Sequence, residues 1–116
     1  TVKLFNISSA DKNDVITEIF RSKGIVLGSP TINNGILTGM ASLIEEIKGL
    51  KFRGKKAAAF GAYGWSGEGV GILVSALKSA GFDVIDEGIK ALWNPDEIAR
   101  NECVEYGSKI GKAMSS

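Results

Sequence analysis

Short apolar runs that end in glycine- or serine-bearing turns alternate, along the whole chain, with stretches patterned at the helical period. Residues 2–7 read as a first strand. Residues 10–22 read as a helix, with Val15, Ile16, Ile19 and Phe20 on one stripe and Asp11 and Asp14 near its positive end. Residues 25–28 form a short, continuously apolar run, the pattern of a strand covered on both faces. A second helix runs from residue 35 or 36 to 48, burying Leu37, Met40, Ala41, Leu43, Ile44 and Ile47, with Gly49 expected to stop it. A basic turn, Lys51-Phe52-Arg53-Gly54-Lys55, leads into a strand at 56–60. Ser66 is expected to cap a third helix that ends at Gly81, and a strand at 82–85 resumes near 89–92. Asn94 is the expected N-cap of the last helix, with Pro95 at its first position and Asp96 and Glu97 complementing its dipole. Ile98, Ala99, Cys103, Tyr106, Ile110 and Ala113 share one side of it, Cys103 as a small core residue. The order β-α-β-α-β-α-β-α predicts an α/β fold, a doubly wound parallel sheet in three layers (αβα) with right-handed crossovers.

Composition excludes several classes of function. A chain of 116 residues supports a single domain, 1–116. Fourteen basic and 13 acidic residues leave a net charge of +1, which supplies no footprint for nucleic acid or a membrane surface. No run approaches the roughly 18 to 20 apolar residues that cross a bilayer. With no histidine and one cysteine, Cys103, the chain has no Ser-His or Cys-His nucleophile, no disulfide of its own and no Cys- or His-built metal set. A lone thiol suits the reducing cytoplasm. The acidic pairs Glu45-Glu46, Asp86-Glu87 and Asp96-Glu97 read as solvated faces or dipole partners. The chain opens at Thr1, without Met, inside a strand-like run, and is expected to be a piece of a longer polypeptide.

Two loops carry the chemistry. Gly28-Ser29-Pro30-Thr31-Ile32-Asn33-Asn34-Gly35 follows one apolar run, and Phe60-Gly61-Ala62-Tyr63-Gly64-Trp65-Ser66-Gly67 follows the next. In an open α/β sheet such loops lie at the carboxyl edge, where ligands bind. The first holds hydroxyl and amide groups that donate and accept, with no charge between Gly24 and Met40. The second alternates Tyr63 and Trp65 with glycines, presenting rings on an open backbone. Alone, the first loop is as well explained by a turn with a helix cap. Together, the two favour a flat ligand with a polar edge.

Gly28-Ser29-Pro30-Thr31-Ile32-Asn33-Asn34-Gly35-Ile36-Leu37 and Ala59-Phe60-Gly61-Ala62-Tyr63-Gly64-Trp65-Ser66-Gly67-Glu68 resemble the flavodoxin-like domain of flavodiiron proteins, the A-type flavoproteins. The likeness runs from Thr1 to about Ala113 and includes Lys48-Gly49-Leu50 and Trp93-Asn94-Pro95. It implies FMN as cofactor, with Ser29, Pro30, Thr31, Asn33, Asn34 and Gly35 along one side of the isoalloxazine. Gly61, Ala62, Tyr63, Gly64, Trp65 and Gly67 would line the other, with Trp65 or Tyr63 flanking the ring. Ala62 stands where the family more often has serine.

The family's first strand and its phosphate-binding Ser/Thr loop have no counterpart here, since residues 2–7 align with the second strand. The resemblance therefore implies an N-terminally truncated flavodoxin-like domain, its first β-α unit supplied by another segment. It also implies a di-iron, metallo-β-lactamase-like domain elsewhere, with no metal in this one. A rubredoxin-like or NADH-linked donor would reduce the flavin, in a homo-oligomer. The competing reading is a receiver-type signalling domain without flavin. It would need acidic residues at the strand ends, and neither loop has one. A third is a dimerisation surface that has lost its cofactor.

Overall fold

The computed structural model describes residues 2–7, 9–29, 38–50, 52, 54–63, 67–92 and 96–115. Helix α1 (Lys12–Arg21) starts where the Asp11 carboxylate accepts from the Asn13 amide at 2.8 Å, and buries Val15 and Ile19. Phe20, expected on the same stripe, is largely exposed and meets the buried Phe52 edge-on, with ring centroids 4.7 Å apart. The basic turn has a definite task. Lys55 Nζ donates to the carbonyls of Ser22 (2.6 Å) and Phe20 (3.2 Å), satisfying groups left over at the carboxyl end of α1.

Strand β1 (Gly24–Gly28) pairs in parallel with β2 (Lys56–Tyr63), Gly24 opposite Lys56 and Gly28 opposite Phe60. Between them runs α2 (Thr38–Leu50). It passes through Gly49 instead of stopping there. Among the described residues the positive-φ glycines are Gly54, Gly81 and Gly88, so Gly49 is used as an ordinary helical residue. Helix α3 (Glu68–Ser79) follows β2 and ends as expected, with Gly81 at φ +95° immediately after its cap Ala80. The expected resumption of the next strand is also present. β3 (Asp83–Val84) and β4 (Ile89–Leu92) both pair in parallel with β2, at opposite ends of it. Helix α4 (Glu97–Ser115) closes the chain. Its first turn is capped by Asp96, whose carboxylate accepts from the Ala99 amide at 2.8 Å. Asn94 and Pro95, expected as cap and first helical residue, lie outside the described residues.

The result is the expected α/β architecture, a parallel sheet with helices on both faces. Leu27, Ala57 and Ala59 face a core built by α1, α2 and α3, in which Leu43, Ile47, Leu73 and Leu77 are sealed from solvent. Gly24, Val26, Ala58 and Phe60 alternate to the other face, where Met114 of α4 lies against Gly24. Residues 2–7 depart from expectation and form no strand. Phe5 and Ile7 pack on the core, while Val2 and Leu4 are more than 90% exposed. An alternating apolar pattern becomes a strand only where a neighbouring edge accepts its hydrogen bonds, and among the described residues β1 pairs with β2 alone.

Candidate cofactor site at the carboxyl edge

The backbone brings the two loops together at their first residues. The Ser29 amide donates to the Phe60 carbonyl at 3.2 Å, and Ser29 is buried. A Cβ at Gly61 would stand 2.4 Å from the Ser29 carbonyl oxygen, closer than side chains approach backbone. Gly61 therefore keeps the ends of β1 and β2 in contact. Gly28 plays the corresponding part on the opposite face, where a Cβ would meet the Phe60 ring at 2.1 Å.

The second loop begins later than expected. Gly61, Ala62 and Tyr63 belong to β2, paired with Lys90, Ala91 and Leu92 of β4. Four residues of β4 supply a hydrogen-bond partner that propensity at a Gly-Ala-Tyr stretch does not announce. Tyr63 is half-buried at the end of this extension, with Lys90 Nζ 5.6 Å from its ring centroid. Gly67 is the N-cap of α3 and makes no side-chain cap bond. Of the expected site residues, Ser29, Gly61, Ala62, Tyr63 and Gly67 are thus placed at one edge. Pro30, Thr31, Asn33, Asn34, Gly35, Gly64 and Trp65 lie outside the described residues, as does Ser66, the expected cap.

Two groups of residues escaped the sequence reading. Lys90 was signalled only by being the one charged residue in the run Ile89-Lys90-Ala91-Leu92. Asp86 gathers the Tyr106 hydroxyl and the Gly88 amide on one carboxylate oxygen and Lys109 Nζ on the other. Partial desolvation pushes the Asp86 carboxyl upward, but the hydrogen bonds from Lys109, Tyr106 and Gly88 outweigh it and hold it below the ordinary value. Burial first, and then the bond to Asp86, push the Tyr106 hydroxyl well above its ordinary value. This clamp ties the turn between β3 and β4 to α4.

Glu45 meets Lys48 (3.6 Å), Glu46 meets Lys12 (3.1 Å) and Glu87 meets Lys78 (3.7 Å), whereas Asp96 of the last acidic pair caps α4. Cys103, expected in the core, is exposed. Among the described residues of α4 Ile110 is the buried one, at 9% exposed, and Ile98 and Val104 are exposed with Cys103. Because α4 reaches the sheet mainly through its carboxyl-terminal part, a helical stripe alone overstates what it buries. Among the described residues no helix is long and apolar enough to cross a membrane.

The flavodoxin family profile matches residues 1–107. The chain is 51% identical over 111 residues to the anaerobic nitric oxide reductase flavorubredoxin of Aliivibrio fischeri, which covers 96% of this chain and 22% of that protein. The flavorubredoxin of Escherichia coli is 45% identical over the same length. The chain thus spans less than a quarter of the curated relatives it matches. Among solved structures, rubredoxin oxygen:oxidoreductase from Desulfovibrio gigas superposes with a TM-score of 0.94 at 33% identity, over 99% of this chain and 29% of that one. A flavodoxin from an archaeon superposes with a TM-score of 0.87 at 26% identity, over 99% and 78%. The parallel sheet with flanking helices is the shared fold, and the chain belongs to the flavodoxin family, matching the flavodoxin-like part of flavorubredoxins and flavodiiron proteins.

Proposed function

We propose that this chain is the FMN-binding electron-transfer part of a flavodiiron-type oxidoreductase. FMN bound here would supply the redox chemistry, and the protein its orientation and electrostatic surroundings. The observation that carries the reading is the meeting of Ser29 with Phe60 and Gly61 at the ends of β1 and β2. From that junction both loops would run along one edge, the first bringing neutral hydrogen-bonding groups and the second the Tyr63 ring. Such a donor set fits a planar heteroaromatic ring with a polar rim. Ser29, Pro30, Thr31, Asn33, Asn34 and Gly35 would hold one side. Gly61, Ala62, Tyr63, Gly64, Trp65 and Gly67 would hold the other.

The phosphate would be bound by a β-α unit outside this chain. The exposed side chains of Val2, Leu4, Val26 and Phe60 support that part, because such a unit would bury them. Within the whole protein, electrons would pass from a rubredoxin-like or NADH-linked donor, through this site, to a di-iron centre in a metallo-β-lactamase-like domain that reduces O2 or NO. The names of the nitric oxide reductase and oxygen:oxidoreductase relatives support this destination. We place the protein in the cytoplasm, in keeping with the single thiol of this chain, and propose that it is a homo-oligomer.

Titration of the full-length polypeptide with FMN tests the reading. Flavin fluorescence is expected to be quenched with one FMN per chain. Tyr63→Ala and Trp65→Ala are expected to separate, the ring that stacks costing about tenfold in affinity and the other little. Absence of quenching in the full-length protein rejects the site.

A further inference from the structure

Lys90 stands at the carboxyl edge beside the second loop. Lys3, Lys12, Lys48, Lys78 and Lys109 pair with carboxylates, and Lys55 donates to two carbonyls. Lys23, Lys56 and Lys112, like Lys90, make no ion pair among the described residues; what sets Lys90 apart is its place beside Tyr63 and Gly67. Its register opposite Gly61 turns it to the sheet face shared by Gly61 and Tyr63. Its ammonium lies 5.6 Å from the Tyr63 centroid, and its Cδ and Nζ come within 3.0 Å of where a Gly67 Cβ would be. Tyr63 and Gly67 flank residues 64–66, so the side chain bridges the two described ends of the second loop. The position is adverse for a cation, since the amino end of α3 carries partial positive charge, relieved there only by Glu68 of its first turn. Lys90 is exposed and solvated at this place, so its charge is available to act on a ligand seated against Tyr63 and Gly67.

We propose that Lys90 is a charge-setting and positioning residue for the flavin ring, holding Tyr63 and favouring reduced FMN over oxidised FMN. This rests on the FMN reading above. Oxidised isoalloxazine is neutral, whereas the reduced ring is an anion above neutral pH. A nearby ammonium therefore acts on the two forms unequally. Gly67 is part of the device, because a side chain there would displace the lysine.

The test compares dissociation constants of oxidised and dithionite-reduced FMN for the full-length protein and for Lys90→Met, Lys90→Gln, Lys90→Arg and Gly67→Ala, with thermal unfolding alongside. Lys90→Met is expected to weaken reduced FMN about tenfold more than oxidised FMN, equivalent to a fall of about 30 mV in the two-electron potential. Lys90→Arg is expected to restore most of the ratio. Gly67→Ala, which keeps the charge and moves it, is expected to shift the ratio in the same direction by about threefold. If Lys90→Met binds both forms with the wild-type ratio while the wild type binds FMN, Lys90 merely packs and the proposal is overturned, with the FMN reading intact. If Lys90→Met fails to fold, an unchanged ratio in Lys90→Gln overturns it equally. If the wild type binds neither form, the FMN reading itself fails and the proposal with it.

Discussion

The two faces of the sheet are built on different terms. On one, three helices converge on Leu27, Ala57 and Ala59, and Leu43, Ile47, Leu73 and Leu77 lose all contact with water. On the other, α4 approaches through Met114 and Ile110, while Val26 and Phe60 stay 42% and 46% exposed. The difference shows which contacts hold this chain and which surfaces it leaves available. The same contrast recurs in the two glycines at the strand ends. Gly61 abuts backbone, the Ser29 carbonyl, which cannot yield. Gly28 abuts the Phe60 ring, which is half in solvent and can swing away.

The sharpest way to break the contrast is a cavity. Leu73→Ala, on the closed face, is expected to cost about 3 to 4 kcal/mol in urea unfolding, whereas Val104→Ala on α4 stays within about 0.5 kcal/mol. Equal costs would mean that both faces are sealed in the full protein. Next come the glycines: Gly61→Ala is expected to cost about 2 to 3 kcal/mol and to weaken FMN, because the ends of β1 and β2 must part. Gly28→Ala should cost about half as much.

The smallest effect tests the clamp on α4. The Asp86 carboxyl is depressed in the fold, so its contribution is present above the unfolded value near 3.8 and is lost as pH falls through the lower folded value. Tyr106 is raised, so its contribution is present below its ordinary value of 10.0 and is lost as pH climbs through the higher folded one. Asp86→Asn is expected to cost about 1 kcal/mol at neutral pH, since the largely exposed Lys109 adds little beyond the hydrogen bonds. It should also flatten the acid limb of the stability curve; an unchanged acid limb would remove Asp86 from that role.

Much of the helical framework was legible in the residues. Asp11 at the head of α1, the Leu43-Ile44-Ile47 stripe of α2 and Gly81 behind α3 are local signals, each read from neighbours within a turn or two. The strands were legible as apolar runs, but their lengths were not. Residues 2–7 carry the alternation of a strand and form none, whereas Gly61-Ala62-Tyr63 carry none and are strand. Similarly, Ser29 was expected at the site from its loop, and its place at the end of β1 is described, yet nothing local foretold that Lys90, far along the chain, would lean on Tyr63.

What the sequence by itself determined is the fold class, the helical faces and the presence of two neutral, glycine-rich loops behind apolar runs. These depend on backbone propensity and side-chain period, which act within about a dozen residues. What only the tertiary structure decided is where strands end, that α4 leaves Cys103 in water, and that the Lys90 ammonium stands beside Tyr63 and Gly67. Those outcomes depend on partners distant in sequence. A hydrogen-bonding edge, a covering layer or a counter-charge is supplied by the packed chain, and no local pattern encodes its position.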